Sequence, residues 1–370
     1  MPEIIQVNSR KALRDFILFP FSIYRGDPFY SPLPIMEQKK IFSSDNPFFN
    51  YAQVKFFLLR DGKATLGRIA SIINKRHLAL HKDGAGFFGF FESVEEPEAA
   101  CLLLERVCEE LKGAGLRILR GPMNFSTNEE CGFLLEGFED PPTIMTPYNP
   151  PYYNALMEDC EMRKAKDLLA FILPMPDALP PKVTRVAEIA EKKGVRVRNV
   201  VMRHIKDELM LFKEVYNSSW KDNWGFIPIA DDELADMTKR LKGTLMPELT
   251  LIAEYDHSPV GFLGLVPDFN QVLRKIKGRL GPVEIVKALY YSRRIDRTRL
   301  MLLGIKEEWR GKGVDALLFV KGFEGLKSFK GRWKQVELSW LLEDNLPVIK
   351  LTEMIGAREY KRFRVYEKNI

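Results

Sequence analysis

Residues 299 to 318 constrain this chain more than any other stretch. Arg299-Leu300-Met301-Leu302-Leu303-Gly304-Ile305 is apolar over the length of a strand and breaks at Lys306-Glu307-Glu308-Trp309. The chain then enters Arg310-Gly311-Lys312-Gly313 and reads as a helix. Two glycines around Lys312 let the backbone bend tightly, and the helix start behind them offers free N–H groups and partial positive charge. A strand, a basic glycine turn and a helix can hold a phosphate. Taken alone, the spacing equally describes an ordinary strand-to-helix connection.

The next elements narrow the choice. Gln335 to Trp340 reads as a strand, followed by Asn345, a helical segment to Met354, and Gly356, with a last strand from Tyr360 to Lys368. This order, with Arg-x-x-Gly from Arg310 and Asn345 leading to Gly356, resembles the C-terminal half of the GNAT acyltransferase superfamily. The resemblance implies an acyl-CoA-dependent transferase in which the turn holds the coenzyme A pyrophosphate and pantetheine lies where the neighbouring strand splays away. It implies backbone contacts to pantetheine and the thioester carbonyl from Leu303 and Ile305, and pyrophosphate contacts from the amides of Gly311, Lys312 and Gly313. Arg310 and Lys312 would add charge, and Asn345 completes the cofactor-binding set. Glu337 or Glu308 would take the amine proton. Two positions depart from the family pattern. Asp315 stands where a glycine or alanine is usual, and Thr352 where many members carry a tyrosine acid, which Tyr360 or Tyr366 would have to replace.

At 370 residues, 46% hydrophobic and 29% charged, the chain has room for two domains of an ordinary globular composition. The start lacks a basic region followed by an apolar segment, and no apolar run approaches the roughly 20 residues that span a bilayer. The expectation is a cytoplasmic protein. Cys101, Cys108, Cys131 and Cys160 show no metal-site spacing and are read as reduced packing residues. His77 and His81, four apart, have no evident third ligand, so no metal is expected.

Four prolines between Pro174 and Pro181 cannot continue a helix or a central strand, which places a linker at 174–182 between domains at 1–173 and 183–370. From Val195 onward the order is strand, two helices (Ile205 to about Trp220, Asp231 to Lys242), hairpin, strand, helix, strand, helix, strand, the GNAT order over the C-terminal half. The first half echoes it through a helix from Arg10, strands Tyr51 to Arg60 and Ala64 to Asn74, strand Gly86 to Phe91, helix Pro97 to Lys112, and strand Arg117 to Arg120. The fold class is therefore α/β with a mixed sheet: two GNAT-like domains, the N-terminal one degenerate. The degenerate copy has Glu92, Glu95, Glu96 and Glu98 with no glycine at its turn, which suits a helix start and not a pyrophosphate. The segment from Gly121 to Tyr153 is too rich in Gly, Pro and Asn for regular structure, and reads either as part of an acceptor pocket or as a packed structural loop.

Between Val266 and Thr298 lies a long insert, at 267–298, with helical periodicity. Residues 271–299 carry nine Lys and Arg against Glu284 and Asp296, a net of +7 in a chain whose total is +6. The excess charge is local, and it favours an anionic partner: the CoA phosphates, an acidic carrier protein, an anionic membrane surface or RNA. Nucleic acid ranks below the others because no aromatic RNA-binding motif accompanies the charge. The leading reading is an acyltransferase using acetyl-CoA or a longer acyl-CoA on a small-molecule or peptide amine. The rivals are a Fem-type transferase that uses aminoacyl-tRNA, and a binding protein on a GNAT fold without chemistry.

Overall fold

The computed structural model describes residues 1–241 and 245–370. In chain order the strands are β1 (Glu3–Gln6), β2 (Ala52–Asp61), β3 (Ala64–Asn74), β4 (Ala85–Ser93), β5 (Ile118–Gly121), β6 (Phe133–Glu136) and β7 (Arg163–Pro174). They continue as β8 (Arg196–Asn199), β9 (Thr250–Tyr255), β10 (Ser258–Pro267), β11 (Arg297–Ile305), β12 (Gln335–Leu342) and β13 (Arg358–Asn369).

The chain divides into two units: residues 1–168 with 270–289 and 361–370, and residues 169–269 with 290–360. This differs from a split at the proline segment. Residues 174–182 lie inside the second unit, where Pro174 ends β7 and Pro181 opens the helix Pro181–Lys192. The prolines mark a strand-to-helix connection, and Pro181 at the first helical position loses no hydrogen bond. Residues 270–289 of the insert and the end of β13 group with the first unit, which no local composition signals.

Within the first unit, β1, β2, β3 and β4 pair antiparallel in that order, β4 pairs parallel with β5, and β5 pairs antiparallel with β13. Within the second unit, β8, β9, β10 and β11 pair antiparallel in the same way, and β11 pairs parallel with β12. The two units thus repeat one strand scheme. In each, one helix links the parallel pair: Pro97–Gly113 between β4 and β5, Val314–Lys327 between β11 and β12. A parallel pair requires such a crossover. The core of the first unit gathers Phe57, Phe88, Leu103, Val107 and Tyr153 under the first of these helices. In the second, Phe212, Val215, Phe226, Ile252 and Phe262 join the helix Ile205–Ser219 to the sheet.

β7 escapes the sequence reading although Leu168 to Leu173 is a continuous apolar run, buried throughout as in a strand covered on both faces. The helix expected from Asp231 to Lys242 runs Asp231–Leu241, and Lys242 lies outside the described residues. Two cysteines are not reduced: Cys101 and Cys160 form a disulfide with Cα atoms 5.3 Å apart. The bond joins helix Pro97–Gly113 to the turn after helix Tyr153–Asp159, a proximity that a separation of 59 residues conceals. Cys108 and Cys131 are free. His77 is buried with a ring nitrogen 3.1 Å from Asp83, a structural contact, and among the described residues no cluster could hold a metal ion.

Candidate active site

β11 and β12 are in register only from Arg297 opposite Gln335 to Leu300 opposite Leu338. Past that rung both continue, to Ile305 and Leu342, without pairing to one another among the described residues. The strands therefore fork. The fork starts where the pairing of β11 with β10 slips by one residue between Leu300 and Leu302, a bulge at Met301 that bends the strand.

Beyond the bulge the register is regular. Lys306 N–H donates to the Val260 carbonyl at 3.0 Å. Bonded and non-bonded residues alternate along an antiparallel pair, so Gly304 and Leu302 also bond to β10. Leu303 and Ile305 turn their N–H and C=O groups the other way, to the side from which β12 has withdrawn.

The glycine turn stands at the C-terminal end of β11. Gly311 and Gly313 have φ of +69° and +83°, a region that disfavours any side chain. The helix Val314–Lys327 makes its first bond from Leu317 N–H to the Gly313 carbonyl, leaving Val314 and Asp315 N–H without intrahelical acceptors. The space beside Gly311 is open, and Lys312 is exposed over the Trp309 ring. Gly313 instead lies under helix Pro181–Lys192: a Cβ there would sit 2.9 Å from the Val186 carbonyl oxygen. Arg310 donates to the Ser219 carbonyl at 2.7 Å, so part of its guanidinium caps the helix Ile205–Ser219. The Asp315 carboxylate accepts from Ala316 N–H at 2.9 Å, occupying one amide of the first turn. Lys312 N–H is turned back onto the Trp309 carbonyl at 3.4 Å, so the donors that fit a pyrophosphate here are the Gly311 amide, beside open space, and the exposed Lys312 ammonium.

At the apex of the fork lies a buried polar cluster. Arg299 and Glu337 face one another in the register, and Ser339 shares the Glu337 face of β12 two residues on. Arg299 Nε donates to Ser339 Oγ at 2.9 Å and stands 3.6 Å from Glu337 Oε1, while Ser339 Oγ donates to that same oxygen at 2.5 Å. Tyr360 O–H donates to Glu337 Oε2. The structure thus brings Glu337 and Tyr360 together. It places Glu308 apart, exposed in the turn after β11. Arg299 is six residues before Ile305, so at the rise of a strand about 20 Å separates the levels of Glu337 and Glu308. Asn345 precedes the helix Leu346–Met354 beyond the end of β12 and makes no side-chain capping bond. Thr352 is buried on that helix, and Tyr366 is buried with its hydroxyl on Asn154 Oδ1, so neither stands with Glu337 as Tyr360 does.

Sequence reasoning missed Arg299 and Ser339. By sequence Arg299 falls with the charges of the basic insert, yet it is buried and belongs to this cluster. The available signal was period two: a charge inside an apolar strand opposite another charge inside an apolar strand. Trp340, the next residue, carries a buried indole N–H without an acceptor among the described residues. A buried donor left unpaired costs about 1–3 kcal/mol and marks a place where a ligand acceptor would be stabilising.

The first unit has the same fork, filled by its own chain. β4 bulges between Gly89 and Glu92, with Phe90 at φ +49°, and leaves β5 after Phe87. Met123 N–H then donates to the Phe88 carbonyl at 2.8 Å, and Phe90 N–H to Asn124 Oδ1 at 2.8 Å. A Cβ on Gly89 would meet the Met123 carbonyl oxygen at 2.0 Å. The segment after Gly121 is thus a packed structural element with Met123, Phe125 and Cys131 buried, and it contains β6. Burial pushes the Glu92 carboxyl above its ordinary range, against the opposing pull of Arg68 and of the Tyr153 and Tyr24 hydroxyls that donate to it at 2.7 and 3.0 Å. Glu96 and Pro97 start the following helix with no glycine turn.

No family model matches the chain. It is 30% identical to Protein YghO of Escherichia coli over 98% of this chain and 94% of that protein. It is 28% identical to the bacterial ceramide synthase of Caulobacter vibrioides over 99% of this chain and 97% of that one. Among solved structures, a tandem GNAT protein from the clavulanic acid biosynthesis pathway superposes with a TM-score of 0.59 at 11% identity, covering 100% of this chain and 98% of that one. A GCN5-related N-acetyltransferase from Sphaerobacter thermophilus gives a TM-score of 0.54 at 14% identity, covering 99% and 95%. At such identities these structures speak to the fold alone, and the fold is GNAT in tandem.

Proposed function

The chain belongs to the family of the Escherichia coli protein YghO, and on that premise we propose that it is an N-acyltransferase that moves an acyl group from an acyl-CoA thioester to the amine of a long-chain base. The observation that carries the proposal is the fork of the second unit. Leu303 and Ile305 aim main-chain groups into it, the glycine turn stands at its outer end, and a hydrogen-bonded carboxylate stands at its apex. The acceptor class comes from the ceramide synthase relative, since a ceramide is an N-acylated long-chain amino alcohol.

Acyl-CoA would supply the activated carbonyl. In the proposed reaction, Gly311 binds the pyrophosphate through its amide and Lys312 through its ammonium. An N–H group of Leu303 or Ile305 polarises the thioester carbonyl, holding charge that develops on its oxygen. The neutral amine attacks the carbonyl carbon; a C–N bond forms and the C–S bond breaks. The amine proton passes to the Tyr360 oxygen as Tyr360 gives its own to Glu337. The reverse transfer protonates the departing thiolate, so amide, free thiol and the original protonation state of the pair result. Arg299 and Ser339 position Glu337 without touching substrate.

The test is turnover by the purified chain with acyl-CoAs from acetyl to long-chain and with sphinganine as the amine, reading free thiol by a thiol reagent and the amide by mass spectrometry. Thiol release that requires both substrates, and rises with acyl length, is the expected result. No thiol release and no calorimetric binding of any acyl-CoA would sink the reading. Transfer from aminoacyl-tRNA instead would establish the Fem-type alternative.

A further inference from the structure

The helix Pro282–Ser292 is built inside out. It has no buried residue. Leu280, Val283, Ile285, Val286, Leu289 and Tyr290 are between 46% and 66% exposed. At 3.6 residues per turn the five of these on the helix occupy one continuous arc of about 160°. A surface helix that contributes to a core turns such an arc inward; here it faces solvent.

Charge surrounds this arc. From Lys277 to Arg294 there are five Lys and Arg (Lys277, Arg279, Lys287, Arg293, Arg294) against Glu284. Arg294 stacks on the exposed Tyr290 ring at 4.0 Å, holding a cation beside the apolar arc. A second exposed apolar pair belongs to the unit that holds the helix as far as Leu289: Leu33 and Met36, at the start of helix Ile35–Ile41, which carries Lys39 and Lys40. It is stitched to the insert where Ile35 N–H donates to the Gly278 carbonyl at 3.1 Å.

We propose that the helix Pro282–Ser292 lies on an anionic lipid bilayer, its apolar arc among the acyl chains and its lysines and arginines on the headgroup phosphates. Each half of the observation needs this partner. A wide outward arc of large aliphatic side chains gains from burial in lipid in proportion to the apolar area removed from water. The flanking cations gain from the negative potential of an anionic surface. An acidic carrier protein or an RNA would satisfy the cations and leave the aliphatic arc in water. The proposal does not depend on what the chain acylates, although a long-chain amine would itself reside in a bilayer.

The test is co-sedimentation of the full chain with phosphatidylcholine vesicles, with and without phosphatidylglycerol and without substrate, followed through a salt series. Binding is expected with phosphatidylglycerol, weakened by salt. The double variant Val286→Asp/Leu289→Asp, exposed and so compatible with folding, should lower the partition coefficient about tenfold or more while the circular dichroism melt stays unchanged. Arg293→Glu/Arg294→Glu should weaken binding and flatten its salt dependence. Unaltered binding of the aspartate variant would overturn the proposal. So would an absence of vesicle binding combined with a dimer in analytical ultracentrifugation, or capture of an acidic carrier protein, that the same variant abolishes.

Discussion

Tyr360 donates a hydrogen bond to Glu337, a carboxylate with no solvent exposure that also accepts from Ser339. The half-buried phenol is the outer member of the pair. Tyr360→Phe removes the hydroxyl and nothing else, so kcat should fall about a hundredfold with little change in the KM for acyl-CoA or in Tm. Glu337→Ala should behave differently, because it removes the buried carboxylate that faces Arg299 and accepts from Ser339 and Tyr360, and a loss of about 3–5 kcal/mol should appear in a denaturant melt. Equal activity of Tyr360→Phe and the parent would remove the tyrosine from the mechanism.

The turn separates binding from folding. Lys312→Glu changes an exposed residue, and calorimetry should show CoA affinity lowered about tenfold with Tm preserved. Gly313 tests another property, since any side chain there meets the Val186 carbonyl at a positive φ. Gly313→Ala should cost about 1–3 kcal/mol of stability.

Asp315 holds an anion close to where another anion would bind. Asp315→Asn keeps an oxygen for the Ala316 amide and removes the charge, so CoA binding should tighten several-fold. Thermal stability should fall by about 0.5 kcal/mol as the favourable charge at the helix start is lost. Unchanged affinity would place the pyrophosphate away from this turn of helix.

His77 predicts acid sensitivity. Burial is the main cause that lowers its pKa to about 4, against the pull of Asp83 and with the repulsion of His81 and Arg120 added. The unfolded chain takes up the proton near the ordinary histidine value of about 6.5, while the folded chain refuses it until about 4. Below the higher value the unfolded state therefore binds more protons, and stability falls as pH drops through this window. A melt series from pH 7 to 4 should show a loss on the order of 2 kcal/mol that His77→Gln reduces.

Gly89 tests the plugged fork of the first unit. Gly89→Ala places a methyl group against the Met123 carbonyl, and the backbone on one side must move, at a cost of about 3 kcal/mol or more in a urea melt.

Much of this molecule is legible because its signals are local. Strand β11, the glycine turn and helix Val314–Lys327 follow from apolar length, two glycines and a helical period within 30 residues, and the repeated order of elements follows from the same reading. The site is only half legible. Leu303, Ile305 and the turn fall out of the motif, whereas Arg299, Ser339 and Glu337 form a cluster only once β11 and β12 are placed side by side in a particular register. Glu308 looked as plausible as Glu337 because a sequence does not measure distance along a strand. The Cys101–Cys160 bond, the closed fork of the first unit and the allegiance of the insert depend on contacts between segments tens to hundreds of residues apart, and nothing in the local composition encodes them.

Strand β13 pairs with β5, and Arg120 meets Glu367 across 247 residues. The first unit therefore lacks one strand of its sheet until residue 367 has been synthesised. At about 5–20 residues per second a ribosome leaves β5 waiting for roughly 12 to 50 seconds with an uncovered edge. The half of the protein translated first is completed last, and during that interval the open edge of β5 is a site at which a chaperone or a neighbouring nascent chain can pair.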